Sequence, residues 1–369
     1  MLELLLLSVM AVAGATLVSD SSDHDDETPT DGDEPVGEDY NVLSNLEQMA
    51  GTEGNDSFII NPGPIPNAAD VDYAAYDGED LRYYTEDIAV AQVDGGAGDD
   101  AFTIVSGQVI LHTGDGQDSV DATNLEGGLI FAGEGDTVIG SDVARSGFVG
   151  ISVTGAGEVE GGTSDEVIVA FGSGASVSGG DGDDSLLSVD GAARLLGGAG
   201  DDFIDANAIP LEYSGHWDQS GAADGYLDIV DAGDGNDRVE DVDNGDIVTL
   251  GAGDDLVTAI YDHSFAELGP VIFTDFTPGE DRFFMDVENL IPNSVLPSVP
   301  DYDTYSDAPE EWTAPLNALL DTVTADGDSH VFVDNTLVAS FEGTADISPE
   351  LYLRFDRYGA YDGIRMRLV

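Results

Sequence analysis

Large apolar residues return at a fixed place along the middle of this chain. Phe58, Phe102, Val120, Leu186, Ile204, Val239 and Val257 each stand two residues after an aspartate, inside a short apolar run. Side chains alternate between the two faces of a strand, so a residue so placed turns inward from a very short strand and supplies a core. The polar residues ahead of each strand are equally regular.

The repeating unit is a nonapeptide: two glycine-like positions, any residue, glycine, any residue, aspartate, any residue, a large apolar residue, any residue. Its sixth position falls on Asp56 in "GTEGNDSFI", Asp100 in "GGAGDDAFT" and Asp118 in "TGDGQDSVD". It falls again on Asp184 in "GGDGDDSLL", Asp202 in "GGAGDDFID", Asp237 in "AGDGNDRVE" and Asp255 in "LGAGDDLVT". Three intervals, from Asp100 to Asp118, Asp184 to Asp202 and Asp237 to Asp255, are identical and span two nonapeptides each. Two degenerate copies fill the middle: "AGEGDTVIG" puts Thr137 in the sixth position and "GGTSDEVIV" puts Glu166 there. A fixed period of this kind marks a solenoid, in which each unit buries its apolar face only by stacking on its neighbours.

The residue types suit one kind of ligand. Calcium takes about six to eight hard oxygens, from carboxylates and backbone carbonyls at flexible turns. Glycine lets the chain follow the tight, partly left-handed path that aims carbonyls inward, and the aspartate supplies charge. One such loop cannot surround an ion, whereas two stacked loops can share it. The alternative is a set of glycine- and aspartate-rich turns that need no ion, on a metal-free β-helix.

The motifs "GGAGDDAFT", "GGDGDDSLL" and "GGAGDDFID" closely resemble the nonapeptide repeats of the RTX, haemolysin-type calcium-binding family, over about Gly51 to Val257. The resemblance implies an all-β, right-handed parallel β-roll in which nonapeptides form turn and strand alternately on two edges. Two nonapeptides then complete one coil, and calcium lies between turns on the same edge. The implied metal residues are Gly96, Gly98, Asp100, Gly114, Gly116 and Asp118, then Gly180, Gly182, Asp184, Gly198, Gly200 and Asp202. Gly233, Gly235, Asp237, Gly251, Gly253 and Asp255 complete the set, with Asp136 and Glu166 as secondary candidates for extending the ladder. Asp56 stands nearly five nonapeptides before Asp100 and reads as a cap or as part of an interrupted turn. The chain departs from the family pattern where "SVDGAARLL" and "TIVSGQVILH" keep the strand but lose the acidic turn. Calcium is therefore expected along mainly one edge, with ordinary turns on the other.

Outside the repeats, residues 60–94 are locally aromatic through Tyr73, Tyr76, Tyr83 and Tyr84 and suit an irregular first coil or a capping strand pair. The stretch from Ala206 to Ile229 enlarges one coil, and Tyr213, His216, Trp217 and Tyr226 make it either a packed loop or a ligand-contact loop. From about Phe265 the texture changes. "GPVIFTDFTPGEDRFFMDVENL" resembles the strand that follows the repeats in RTX proteins, and "EEWTAPLNALLDTV" suits one short helix. "DGDSHVFVDNTLVASFEGTADI" predicts a hairpin turning at Asp334-Asn335. A small β-rich cap over residues 265–369 would cover the last coil. Arg354, Arg357, Arg365 and Arg367 crowd the C-terminal end, where they could pair with the acidic body or form part of an export or docking signal.

Charge narrows the partners. The 369 residues include 76 acidic and 9 basic side chains, all arginine, for a formal net charge of -67. A compact fold with so much like charge repels itself; bound multivalent cations, or solvated carboxylates in a salty medium, relieve it. Nucleic acid is excluded as a partner, since no basic patch exists to neutralise phosphates. The lack of cysteine excludes disulfides, thiolate metal sites and a cysteine nucleophile. The N-terminal stretch from Met1 to Val18 is almost wholly apolar yet carries Glu3 in place of a positive n-region. It suits a leader, a short membrane anchor or a buried amphipathic helix. Residues 19–39 form an acidic, proline-containing linker, 40–94 an N-terminal cap and first coil, and 95–264 the RTX-like roll.

No catalytic motif stands out. HExxH and GxSxG are absent, and a phosphate loop ending in lysine cannot exist without lysine. The five histidines, at 24, 112, 216, 263 and 330, lack metal-ligand spacing. Arg145 and Arg194 are the only basic residues between Arg82 and Arg238, too few to mark a lyase base beside a carboxylate cluster. The sequence thus points to a secreted or cell-surface calcium-binding protein that folds with Ca2+, with a structural or adhesive role and a surface polysaccharide or matrix as its target. A calcium-dependent polysaccharide lyase or epimerase on a parallel β-helix is the alternative.

Overall fold

A computed structural model describes residues 36–44, 48–62, 90–143, 149–208, 223–292, 310–345, 347–355 and 361–368. The chain is all-β and winds back and forth between two sheets dominated by parallel pairing, as expected for a β-roll or β-helix solenoid. The first sheet takes the odd strands: β1 (Asp39–Val42), β3 (Ser57–Ile60), β5 (Ala101–Ile104), β7 (Ser119–Asp121), β9 (Thr137–Ile139) and β11 (Glu158–Glu160). It continues with β13 (Ser176–Asp181), β15 (Arg194–Ala199), β17 (Ile229–Asp234), β19 (Ile247–Ala252) and β21 (Val271–Phe273). The second sheet takes the even strands: β2 (Gln48–Ala50), β4 (Ala91–Asp94), β6 (Gln108–His112), β8 (Gly127–Ala132) and β10 (Val149–Thr154). There follow β12 (Glu166–Phe171), β14 (Ser185–Val189), β16 (Phe203–Asp205), β18 (Arg238–Val242), β20 (Leu256–Ile260) and β22 (Arg282–Asp286). One odd and one even strand make a coil.

The period-two pattern puts the apolar side chains where the sequence requires. Burial alternates along β5 and β12, and the seven apolar residues that follow the aspartates are all at most 2 % exposed. Side chains from both sheets merge into one continuous core. Like residues stack coil on coil within it: the Tyr40, Phe58 and Phe102 rings lie parallel at 4.7 and 4.8 Å.

Parallel pairing runs through β21 and β22, past the change of texture at residue 265, so "PVIF" and "DRFFMD" build another coil of the solenoid. The cap comes after it. In the first sheet β21 pairs with β25 (Thr336–Phe341), followed by β24 (Asp328–Val333) and β23 (Leu320–Ala325). In the second sheet β22 pairs antiparallel with β27 (Tyr361–Leu368), which pairs with β26 (Pro349–Phe355). The β24–β25 hairpin turns at Asp334 and Asn335, whose φ angles of 47° and 64° are those of a type I′ turn. The expected short helix is α1 (Glu310–Asn317).

Two edges join the sheets. On the first edge the chain passes from an even strand to the next odd one, and on the second from an odd strand to the next even one. The turns holding Asp56, Asp100, Asp118 and Asp136 enter β3, β5, β7 and β9, and so lie on the first edge. Those holding Glu166, Asp184, Asp202, Asp237 and Asp255 enter even strands and lie on the second. Each ladder thus keeps to one edge, but the two ladders take opposite edges, and a single acidic edge is wrong for the solenoid as a unit. The cause is spacing: Asp136 and Glu166 are separated by close to a coil and a half, and an odd half-coil changes edge.

Candidate metal centre

Each acidic rung bonds to the coil before it. On the first edge the Asp56 N–H donates to Asp100 Oδ1 at 2.7 Å, Asp100 N–H to Asp118 Oδ1 at 2.7 Å, and Asp118 N–H to Asp136 Oδ1 at 2.9 Å. On the second edge Glu166 N–H donates to Asp184 Oδ1 at 2.7 Å and Asp184 N–H to Asp202 Oδ1 at 2.8 Å. The series continues from Asp202 to Asp237 and from Asp237 to Asp255, both at 2.8 Å, and from Asp255 to Asp281 at 3.2 Å. One carboxylate oxygen of each rung therefore ties the coils together.

The other oxygen is left over. Oδ2 of Asp100, Asp118, Asp184, Asp202, Asp237 and Asp255, and Oε1 of Glu166, are buried and meet no hydrogen-bond donor. The residues carrying them are at most 2 % exposed. Such orphaned acceptors are costly unless something neutralises them. Burial is the first cause that raises their pKa values, with neighbouring acids adding to it and the backbone N–H bonds opposing it. Asp100, Asp118 and Asp237 are pushed up to about 6, Asp184, Asp202 and Asp255 to about 7, and Glu166 to about 8.

Glycines shape the space around these oxygens. A Cβ on Gly95 would fall 2.6 Å from Asp100 Oδ2, and one on Gly197 2.5 Å from Asp202 Oδ2. The predicted metal glycines stack directly on their counterparts in the preceding coil. A Cβ on Gly200, where φ is +138°, would lie 1.9 Å from the Gly182 carbonyl oxygen. Gly96, Gly114, Gly233 and Gly251 stack in the same way beside the alanine or aspartate that separates them from Gly98, Gly116, Gly235 and Gly253.

Three of the four rungs at the ends of the ladders differ from the rest. Asp136 Oδ2 accepts the Gly133 N–H and the Thr113 hydroxyl, both at 2.6 Å. Asp56 Oδ2 accepts the Thr52 N–H at 2.6 Å, and Asp281 Oδ2 the Thr277 N–H at 2.7 Å. The protein satisfies both oxygens at these three ends but only one in the interior and at Glu166, which opens the second ladder with Oε1 left over. Asp136 also takes the register expected of Thr137: Thr137 pairs with Ser119, so the Asp136 turn is one residue shorter than the nonapeptide frame.

The structure brings together all three pairs expected from the two-nonapeptide spacing and adds others. Asp202 stacks on Asp237 and Asp56 on Asp100 despite their wider separation in sequence, because the extra residues fall in the connection at the opposite edge. Asp281 extends the second ladder, a rung missed in the sequence although "GEDRFF" sets it two residues before the buried Phe283. A second, exposed row at the fifth position was also missed: Asp183 N–H donates to Asp165 Oδ1 and Asp201 N–H to Asp183 Oδ1, at 3.0 and 2.8 Å.

These features fit calcium as the occupant of the turns. Among the described residues no three His, Asp or Glu side chains converge on one point that could hold a metal ion, so an ion between rungs would draw its remaining oxygens from backbone carbonyls. His112 stacks on Phe131 at 4.5 Å, and His330 Nδ1 lies 3.0 Å from the Ser340 hydroxyl, both structural roles. Tyr226 is exposed, whereas Tyr213, His216, Trp217, Arg145, His24 and the apolar stretch from Met1 to Val18 lie outside the described residues. So do Tyr73, Tyr76, Tyr83 and Tyr84. No described helix is long and apolar enough to cross a membrane. The fold and its stacked acidic turns define the chain as a parallel β-solenoid with acidic ladders. No protein-family model and no curated protein matches it.

Proposed function

We propose that the chain is a calcium-binding β-solenoid of the RTX kind that folds as it binds Ca2+ outside the cell or at its surface, and that serves there as a rigid acidic structural or adhesive rod. The observation that carries this is the row of buried carboxylate oxygens without donors, repeated on successive turns of two ladders. Asp100 and Asp118 on the first edge, and Glu166, Asp184, Asp202, Asp237 and Asp255 on the second, would hold the ions with the carbonyls of the glycine turns. Calcium there supplies the positive charge that these oxygens lack. Without it the stacked carboxylates repel one another across the coil spacing, so binding energy becomes folding energy. A chain exported unfolded would then fold on meeting external calcium. The exposed outer row of acids favours the structural role over a lyase or epimerase.

Far-UV circular dichroism of the full chain during a calcium titration tests the proposal. A cooperative gain of β signal with calcium, not reproduced by magnesium, is the expected outcome. A chain fully folded in chelator and indifferent to calcium would overturn it.

A further inference from the structure

Acid returns to the first edge in a form that the nonapeptide frame does not describe. That edge carries Gly157, Ala175 and Ala193 where the lower coils carry aspartate, as the bonds from Ser176, Arg194 and Ile229 N–H to their carbonyls show. Then the turn before β17 holds Asp224 and Asp228, and the turn before β19 holds Asp243 and Asp246. Asp228, Asp243 and Asp246 are at most 2 % exposed, and Asp224 is half-buried.

Backbone donors claim most of the oxygens in this group. Asp243 Oδ2 accepts the N–H groups of Asp224 at 2.7 Å and Gly225 at 3.3 Å. Asp224 Oδ1 accepts the Tyr226 N–H at 2.8 Å. Asp246 is fully used, by Asp228 N–H on Oδ1 at 2.8 Å and Asp243 N–H on Oδ2 at 2.7 Å. Asp228 Oδ1 accepts the Ala193 N–H at 2.6 Å. Two buried oxygens remain without a donor: Asp224 Oδ2 and Asp243 Oδ1.

The two turns meet at the bond from Asp224 N–H to Asp243 Oδ2, and the two carboxyl groups lie within hydrogen-bond reach of each other, a bond they make only when one of them holds a proton. The charges acting on the group come from Asp190, Asp224, Asp228 and Asp243, every one of them acidic. Ionised carboxylates are acceptors only, so neither can satisfy the other. Two buried carboxyl groups in contact must share a proton or hold a cation between them.

We propose that Asp224 and Asp243 hold a hard divalent cation of the calcium class between the turns that enter β17 and β19, at a site separate from both ladders. It uses the same division of labour as a ladder rung: one oxygen of each carboxylate fixes the backbone and the other faces the ion. The two side chains supply two ligands, and water or backbone carbonyls complete the shell. The site ties two consecutive turns of the first edge together, at the coil where acid returns to that edge. It does not depend on the ladders, since it shares neither residues nor frame with them.

Equilibrium dialysis of the full chain against calcium, with ions counted per chain, provides the test. Asp243→Asn and Asp224→Asn each place an amide donor against the facing carboxylate while keeping its size. Each variant is expected to bind one ion fewer than wild type, to match its circular dichroism in calcium, and to melt at a higher temperature in chelator because the orphaned oxygen gains a donor. The same ion count in wild type and in either folded variant would overturn the site, as a carboxyl pair sharing a proton would give. Should Asp243→Asn not fold, Asp224→Asn at the half-buried position carries the test. Failure of the ladders has a different signature: wild type would then bind a single ion, and both variants none.

Discussion

A rung aspartate does two jobs with its two oxygens. Oδ1 anchors the backbone of the preceding coil and is satisfied in every coil, whereas Oδ2 is satisfied only at Asp56, Asp136 and Asp281. This has a consequence for pH. The rungs with an orphaned oxygen have folded-state values of about 6 to 8, against about 4 for the same groups in an unfolded chain. A raised carboxyl pKa means that the metal-free native state binds more protons than the unfolded one between those values. The rungs' contribution to metal-free stability should therefore be fully present below about pH 4 and be lost as pH rises through about 8. Calcium requires the ionised carboxylate, so its affinity should rise over that same window and its binding should release protons. Thermal melts in chelator at pH 5 and pH 8, repeated in calcium, check the pair of slopes. A metal-free chain that gains stability between pH 5 and pH 8 would contradict the cause assigned to these shifts.

Turns and strands were legible in the sequence to different degrees. The eighth-position residues and the strands holding them were readable because their signal is local: an apolar residue at a fixed step from a glycine turn has one face to point into. The same holds for the I′ turn at Asp334-Asn335, where the dipeptide itself tolerates positive φ. The Asp136 turn was misjudged by one residue because register comes from pairing with Ser119, which lies a coil away. Turn glycines can be probed by their stacking. Gly200→Ala meets both positive φ and a carbonyl 1.9 Å from its Cβ, whereas Gly327→Ala at φ +101° has nothing within 4 Å. The backbone strain alone costs about 1–3 kcal/mol. Calorimetry in calcium should show Gly327→Ala within that range and Gly200→Ala well beyond it or unfolded. Equal losses would show that coil stacking does not constrain the turn.

The assembled solenoid carries its charge in two layers. Outer-row acids such as Asp183 and Asp201 lie in solvent, while the rung oxygens are sealed between coils. Sodium chloride at about 1 M shortens the screening length to about 3 Å and should relieve the outer layer, but bulk salt cannot enter the sealed one. In chelator, high salt is thus expected to recover only a minor part of the β signal that millimolar calcium gives. Full recovery by salt alone would mean that general repulsion of the -67 chain, rather than the buried oxygens, holds the metal-free state open. The cap closes the other vulnerability. Strands β25 and β27 pair with the last parallel strands, and Phe341 packs on Phe273 at 4.9 Å, so the final coil shows no bare edge in either sheet.

Period, turn chemistry and the inward apolar position were decided by the amino-acid order, because each depends on residues within one nonapeptide. The edge on which an acidic turn lies depends on the total path since the last one, and the path between β9 and β12 shifts that count by half a coil. The pairing of Asp202 with Asp237 required the intervening residues to leave from the opposite edge, a matter of topology that no local pattern encodes. Tertiary contact also separated the finished rungs at Asp56, Asp136 and Asp281 from the unfinished ones, and brought Asp224 against Asp243 from the neighbouring turn. Whether a carboxylate oxygen finds a donor is settled by the neighbouring coil, and only the folded stack supplies that neighbour.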